Sequence, residues 1–212
     1  MRRGTKRSGV GSVSSKTSAK ELEAINAFFG KYSEPSEPEL IGPEGVEKLC
    51  ADLDVAPSDV RILMLAFKMN AAKMGYFTAE EWRHGMASMG CNSIDKLRKC
   101  LHTLETEVQQ TAVFREFFKY AFTFCCTEPR QKTLDVDTAS QMLQIVMPNS
   151  PHLEPFLQFI QEQTEYKALT LDQWQGFLRF CEETLPDVSN YDESQAWPLL
   201  IDNFVEWIIS KR

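Results

Sequence analysis

The chain has 212 residues, 43% apolar and 25% charged, with 23 basic against 30 acidic side chains and a formal net charge of −7. That composition sits near the globular average, its longest apolar runs fall far short of the roughly 18–20 residues a membrane span requires, and the basic, serine-rich start has no apolar signal-peptide core. Membrane-spanning and secreted readings are therefore excluded, and the length accommodates one or two domains at roughly 100–200 residues each.

Residues 1–17 are rich in Arg, Lys, Ser and Gly and offer almost nothing to bury, so they are expected to form a disordered basic tail. Arg2, Arg3, Lys6 and Arg7 are either a nuclear import signal or a solvated charge cluster. The first twenty residues hold six bases and no acid, leaving 17 bases against 30 acids from Glu21 onward, a net of −13. Such a body repels a phosphate backbone, which argues against nucleic acid. It suits a basic protein partner, or solubility alone.

From Ser18 the helix signals follow quickly. Ser18 with Glu21 is a capping box whose helix runs through Phe28 and Phe29 and stops near Gly30. A second helix opens at Pro43 and carries Val46, Leu49 and Cys50. A third follows Pro57-Ser58-Asp59. Thr78 with Glu81 is another capping box, for a helix bearing Trp82 and Met86 that ends before Gly90. Helical segments are expected near Ile94–Leu101, Phe114–Phe124, Thr138–Val146, Leu153–Gln161, Leu171–Leu185 and Pro198–Ile209. Thr170 with Gln173 caps the fifth of these, and Pro198 is tolerated in a first turn. No stretch alternates apolar and polar residues over a strand's length. The fold class is all-α.

The third helix is apolar nearly all round. Between Val60 and Met69 only Arg61 and Lys68 are charged, and they share one narrow stripe. Val60, Leu63, Met64 and Phe67 make one apolar face; Ile62, Leu65, Ala66 and Met69 make the opposite one. Such a helix is either central to the core, or has one face in the core and the other in a groove for an amphipathic partner helix.

Catalytic and metal motifs are largely absent from the sequence. Asp135-x-Asp137 resembles the start of a calcium loop, but Ser140 and Val146 stand where the twelve-place template needs Gly and Glu. A pair of acids at a helix N-terminus, favoured by the helix dipole, is the better account. His84, His102 and His152 form no HExxH pair and no Cys/His zinc spacing. No GxSxG, P-loop or GxGxxG occurs. The six cysteines, Cys50, Cys91, Cys100, Cys125, Cys126 and Cys181, are scattered without a CxxC, which suits a reducing cytosol or nucleus. The motifs describe a binding module and not an enzyme, with no cofactor.

Residues 171–212 hold eight acids against three bases around Trp174, Trp197, Phe204 and Trp207. That is either a solvated face over an aromatic core or a docking patch for a basic partner. The run Ser189-Asn190-Tyr191-Asp192-Glu193, Ala196-Trp197-Pro198, Leu200-Ile201-Asp202 and Phe204-Val205-Glu206 resembles the C-terminal motif of the defective-in-cullin-neddylation family. Ile41-Gly42-Pro43-Glu44-Gly45, Met74-Gly75-Tyr76-Phe77-Thr78, Glu81-Trp82, Gly85-Met86 and Gly90-Cys91 resemble it too. The resemblance spans residue 21 to the end. It is to members with a short basic tail and not to those with an N-terminal ubiquitin-binding domain.

The resemblance implies a potentiating-neddylation domain over residues 18–212, with EF-hand-like helix pairs that bind no metal and a C-terminal helical half. It implies a scaffold-type co-ligase that holds a cullin's C-terminal winged-helix domain and the Nedd-conjugating enzyme together. A RING subunit on the cullin would assist, so that the ubiquitin-like modifier Nedd (Rub in plants) passes to a cullin lysine. The family's cullin-docking triplet falls on Asp172, Ala196 and Asp202. Its pocket for the conjugating enzyme's acetylated N-terminal methionine falls on Val46, Ile62, Leu65, Ala66, Met69, Phe77 and Phe124, with Met142 and Ile145 closing it. Met69, Met74 and Met142 depart from the aromatic or polar residues common in the family. The alternative is a cullin-binding helical adaptor or competitive regulator that does not stimulate transfer. A monomer in nucleus and cytoplasm, free of nucleic acid and membrane, is expected on either reading.

Overall fold

Cap chemistry sets the helix starts. In the computed structural model, which describes residues 18–212, the side chains of Ser18, Thr78 and Thr170 each accept the backbone N–H three residues on, and their own backbone N–H donates to the Glu or Gln side chain there. These capping boxes open α1 (Ala19–Phe29), α4 (Ala79–Met89) and α9 (Leu171–Glu183). Asp59 and Asp135 cap α3 (Val60–Met69) and α7 (Val136–Val146) by accepting from Arg61 N–H and Thr138 N–H. Pro43 is the first residue of α2 (Pro43–Leu53). Pro198 is the N-cap of α10 (Leu199–Ser210), one place outside the expected first turn. The expected tail over residues 1–17 lies outside the described residues.

The remaining helices are α5 (Ile94–Val108), α6 (Thr111–Cys125) and α8 (Leu153–Glu162). α5 runs seven residues beyond the expected Leu101 because its buried stripe continues through Leu104 and Val108. The molecule is all-α, yet the described residues also contain four strands of two or three residues. β1 (Leu40–Ile41) pairs antiparallel with β2 (Phe77–Thr78), and β3 (Thr133–Asp135) with β4 (Ala168–Thr170). Each ribbon ties two helix–loop–helix units, so α1–α2 and α3–α4 form one pair and α6–α7 and α8–α9 another. The helix-pair layout expected of the first half is thus repeated in the second.

The loop joining α3 to α4 shows how such a unit closes. Numbered as a twelve-place calcium loop, residues 70–81 put Asn70 first, Gly75 sixth and Glu81 twelfth, but Ala72 and Met74 at the third and fifth ligand places. Gly75 has φ +79°, a conformation only glycine adopts freely. The Glu81 carboxylate accepts N–H bonds from Ala72 at 2.8 Å and Thr78 at 2.7 Å. Backbone donors thus occupy the carboxylate oxygens that would grip a cation.

Each half has an aromatic core. Trp82 is fully buried among Phe28, Phe29, Tyr32 and Phe77, its ring centroid 5.1 Å from that of Phe28. In the other half Phe156 stacks on Phe177 at 3.9 Å, with Phe204 edge-on at 5.1 Å. Trp174 stacks on Phe118 at 4.6 Å and donates its indole N–H to the Phe118 carbonyl at 2.8 Å. α3 packs against α4, α5 and α6, and the Tyr120 hydroxyl donates to the Ala71 carbonyl at 2.8 Å to fasten the two halves.

Candidate functional site

Two regions gather most of the residues singled out from the sequence. The first is an apolar groove of about 320 Å³. Pro43, Val46 and Glu47 of α2 form one wall, and Pro57, Ser58 and Asp59 of the following turn one end. Ile62, Leu63 and Ala66 of α3 lie along the groove. Met74, Gly75 and Phe77 of the α3–α4 loop, Phe124 of α6, and Met142 and Ile145 of α7 complete the lining. Seven expected pocket residues therefore meet here: Val46, Ile62, Ala66, Phe77, Phe124, Met142 and Ile145.

Leu65 and Met69 do not line the groove. Leu65 is fully buried. Met69 lies a turn beyond Ala66 and is covered by α4, where a Cβ on Gly85 would fall 2.3 Å from Met69 Cγ. Leu63, assigned from the sequence to the opposite face, lines the groove instead. The Asp59, Ile62, Leu63, Ala66 spacing describes that stripe once the cap position is known. α3 has one side in the core, where Phe67 packs on Phe117 and Tyr120 at 5.6 and 5.4 Å, and another, Ile62 to Ala66, along the groove.

The groove's charge is confined to its rim. Glu47 is exposed and has no ion-pair partner among the described residues. Asp59 holds Arg61 through bonds of 2.9 and 2.6 Å, which keep its carboxyl below the usual carboxylate range. Met74, at the lip, is 41% exposed. The floor thus suits an apolar, uncharged group at the end of an amphipathic segment.

The second region lies where α9 and α10 begin. Their starts converge because Gly176 has no side chain; a Cβ there would lie 2.6 Å from Pro198 Cγ. Asp172, exposed in the first turn of α9, and exposed Ala196 line one cleft with Gln175, Gly176, Arg179 and Pro198. Arg115 pairs with Glu182 at 2.7 Å and Arg179 with Glu183 at 3.1 Å, leaving Asp172 without an ion-pair partner among the described residues.

Asp202 stands in a different groove, with Tyr191, Asp192, Glu193 and Glu206 above Val188, Val205 and Ile209. One carboxylate oxygen accepts the Tyr191 hydroxyl, whose own pKa is raised by burial and then by that carboxylate. The two places are connected through aromatic rings. Tyr191 stacks on Trp197 at 5.6 Å, the Arg179 guanidinium covers Trp197 at 4.0 Å, and Arg179 Nη1 donates to the Ala196 carbonyl at 3.1 Å. Arg179, which belongs to no sequence motif, organises the loop presenting Ala196.

Five of the six thiols sit where burial disfavours the thiolate. Burial raises the pKa of Cys50, Cys91, Cys125, Cys126 and Cys181, the last to about 12, the reverse of what a reactive thiolate needs. Buried His152 bonds the Thr184 carbonyl through Nε2 at 3.0 Å. Among the described residues, no group of three or more His, Cys, Asp or Glu is placed to hold a metal ion. No helix among them is long and apolar enough to cross a membrane.

Comparison with known proteins adds a family. A family model described as cullin binding matches residues 96–207. DCN1-like protein 5 of Homo sapiens is 40% identical over 182 residues, covering 85% of this chain and 75% of its own. DCN1-like protein 4 of Danio rerio is 39% identical over 208 residues, covering 95% and 74% respectively. The protein of that name from Drosophila melanogaster is 39% identical over 187 residues, covering 88% and 75%.

Proposed function

This chain belongs to the cullin-binding, DCN1-like family, and on that premise we propose that it is a non-covalent scaffold for cullin neddylation. The acidic surface of Asp172, Ala196 and Asp202 docks the cullin's C-terminal winged-helix domain. The apolar groove takes the acetylated N-terminal methionine of the Nedd-conjugating enzyme and the amphipathic helix after it. The RING subunit joins through the cullin.

The observation that carries the reading is the groove itself: an open apolar slot of about 320 Å³ with carboxylates only at its rim. An ammonium entering it would have to shed water without a counter-charge on the floor, which is strongly unfavourable. Acetylation replaces that charge with a neutral amide. The scaffold needs no nucleophile of its own. Its rate gain comes from holding two proteins in reacting orientation, where each tether raises the effective concentration of the other.

The test is assembly. The full chain, a cullin winged-helix domain and the acetylated conjugating enzyme should co-sediment as a ternary complex. Ala66→Arg should release only the enzyme, and Asp172→Ala only the cullin. Cullin binding without any binding of the acetylated enzyme would instead support the adaptor or competitive regulator.

A further inference from the structure

The exposed side of α10 has no partner within the described residues and is apolar at both ends. Leu199, Asp202, Glu206 and Ile209 follow one another at three- and four-residue spacings, so they lie along a single stripe about 15 Å long. Leu199 is 68% exposed and Ile209 58%, the two most exposed large hydrophobic side chains among the described residues. Asp202, Glu206 and Ile209 border a groove of about 470 Å³ whose floor is Val188 and Val205. Val188 has φ +47°, a conformation costly for a β-branched residue, and its buried side chain underlies that groove.

We propose that this α10 stripe and its groove extend the cullin-docking surface and receive a segment of the cullin that carries Lys or Arg flanked by apolar residues. The proposal rests on the docking reading given above. Three features favour this occupant over others. The stripe is continuous with the Asp172–Ala196 cleft, because Leu199 directly follows Pro198, which lines that cleft. Neither Asp202 nor Glu206 has an ion-pair partner among the described residues, which leaves Glu206 and the Asp202 oxygen not bonded to Tyr191 for a cation. Residues 171–212 carry a net charge of −5, so a basic segment is matched in charge while its alkyl stems cover Val188, Val205 and Ile209.

Calorimetry of the full chain against an isolated cullin winged-helix domain, at low and high salt, tests this. The double variant Leu199→Ser/Ile209→Ser should bind about tenfold more weakly, from lost apolar burial. That deficit should persist at high salt. Glu206→Gln should weaken binding about threefold at low salt, with the difference vanishing at high salt. The substituted positions all face solvent or the groove rim, so melting temperatures should move little. If both variants bind like the wild type while Asp172→Ala abolishes binding, the inference is wrong and the docking reading stands. If Asp172→Ala also binds like the wild type, the docking reading fails and this inference with it. Sedimentation of the wild type as a dimer that Leu199→Ser/Ile209→Ser dissociates would assign the stripe to self-association and overturn the proposal.

Discussion

Removing the acetyl group from the conjugating enzyme's N-terminal peptide should weaken its binding in the α2–α3 groove by a calculable amount. A free α-amino group has an ordinary pKa of about 7.7–8.0, so at pH 7 it is mainly an ammonium. The groove floor is Val46, Ile62, Ala66, Phe77, Phe124 and Met142, and none of them carries a charge to neutralise an ammonium. Shedding the proton first costs about 1 kcal/mol at pH 7. Burying the resulting amine without partners adds about 1–3 kcal/mol. The sum is about 2–4 kcal/mol, or roughly thirty- to a thousandfold in affinity. The sign with pH follows. Binding of the free-amine peptide should strengthen as pH rises from 6.5 toward 8.5, whereas the acetylated peptide should show no such trend. Titration calorimetry with both peptides at the two pH values measures this. Equal affinities would refute the reasoning. So would tighter binding of the free amine at the lower pH, which would mean that Glu47 at the rim captures an ammonium.

Four other outcomes are expected. Ala66→Arg should fill the groove and abolish peptide binding while circular dichroism keeps its helical signal. Asp172→Ala, Ala196→Arg and Asp202→Asn should each cost about 2–5 kcal/mol of cullin affinity with little change in melting temperature, since the amide oxygen that replaces the Asp202 carboxylate can still accept from Tyr191; early melting with unchanged binding would make these residues structural. Arg179→Ala should free the Ala196 loop, losing about 0.5–1 kcal/mol from the Trp197 contact, and should weaken cullin binding without affecting the groove peptide. Glu162, held near a pKa of about 2 by bonds from Lys211, Gln158 and Trp207, clips the end of α10 to α8. Its stabilising contribution is present above the unfolded pKa near 4.5 and lost as pH falls through about 2, so Trp207 fluorescence should change near pH 2, where the folded carboxylate takes its proton; a change already complete near pH 4.5 would contradict the assignment.

Features decided within a few residues were legible in the sequence. The capping boxes at Ser18, Thr78 and Thr170 depend on hydrogen bonds three residues apart, and all three helices start where those residues predict. Asp135 capping α7 is equally local. The paired ribbons were invisible because two or three residues cannot display an alternation, and their partners are more than thirty residues away. Which side of α3 stays open was also a tertiary matter. Met69 is covered because Gly85 lets α4 approach, and nothing within α3 announces that contact. The same holds for Asp202, whose place in a groove apart from Asp172 and Ala196 follows from the Tyr191 and Trp197 rings stacking between them. Family resemblance named the three together; side-chain packing puts an Arg179-braced aromatic link among them.

The proposed scaffold accelerates transfer by holding two proteins at once. A reconstituted reaction containing a cullin with its RING subunit, the acetylated conjugating enzyme charged with the modifier, and this chain at increasing concentration measures that most directly. The initial rate of cullin modification should rise with the wild-type chain and then fall at large excess, as separate copies saturate each partner. Ala66→Arg and Asp172→Ala should each abolish the stimulation, and mixing the two variants should not restore it. An unchanged rate with a chain that binds both partners, or restored stimulation from the mixed variants, would contradict the scaffold.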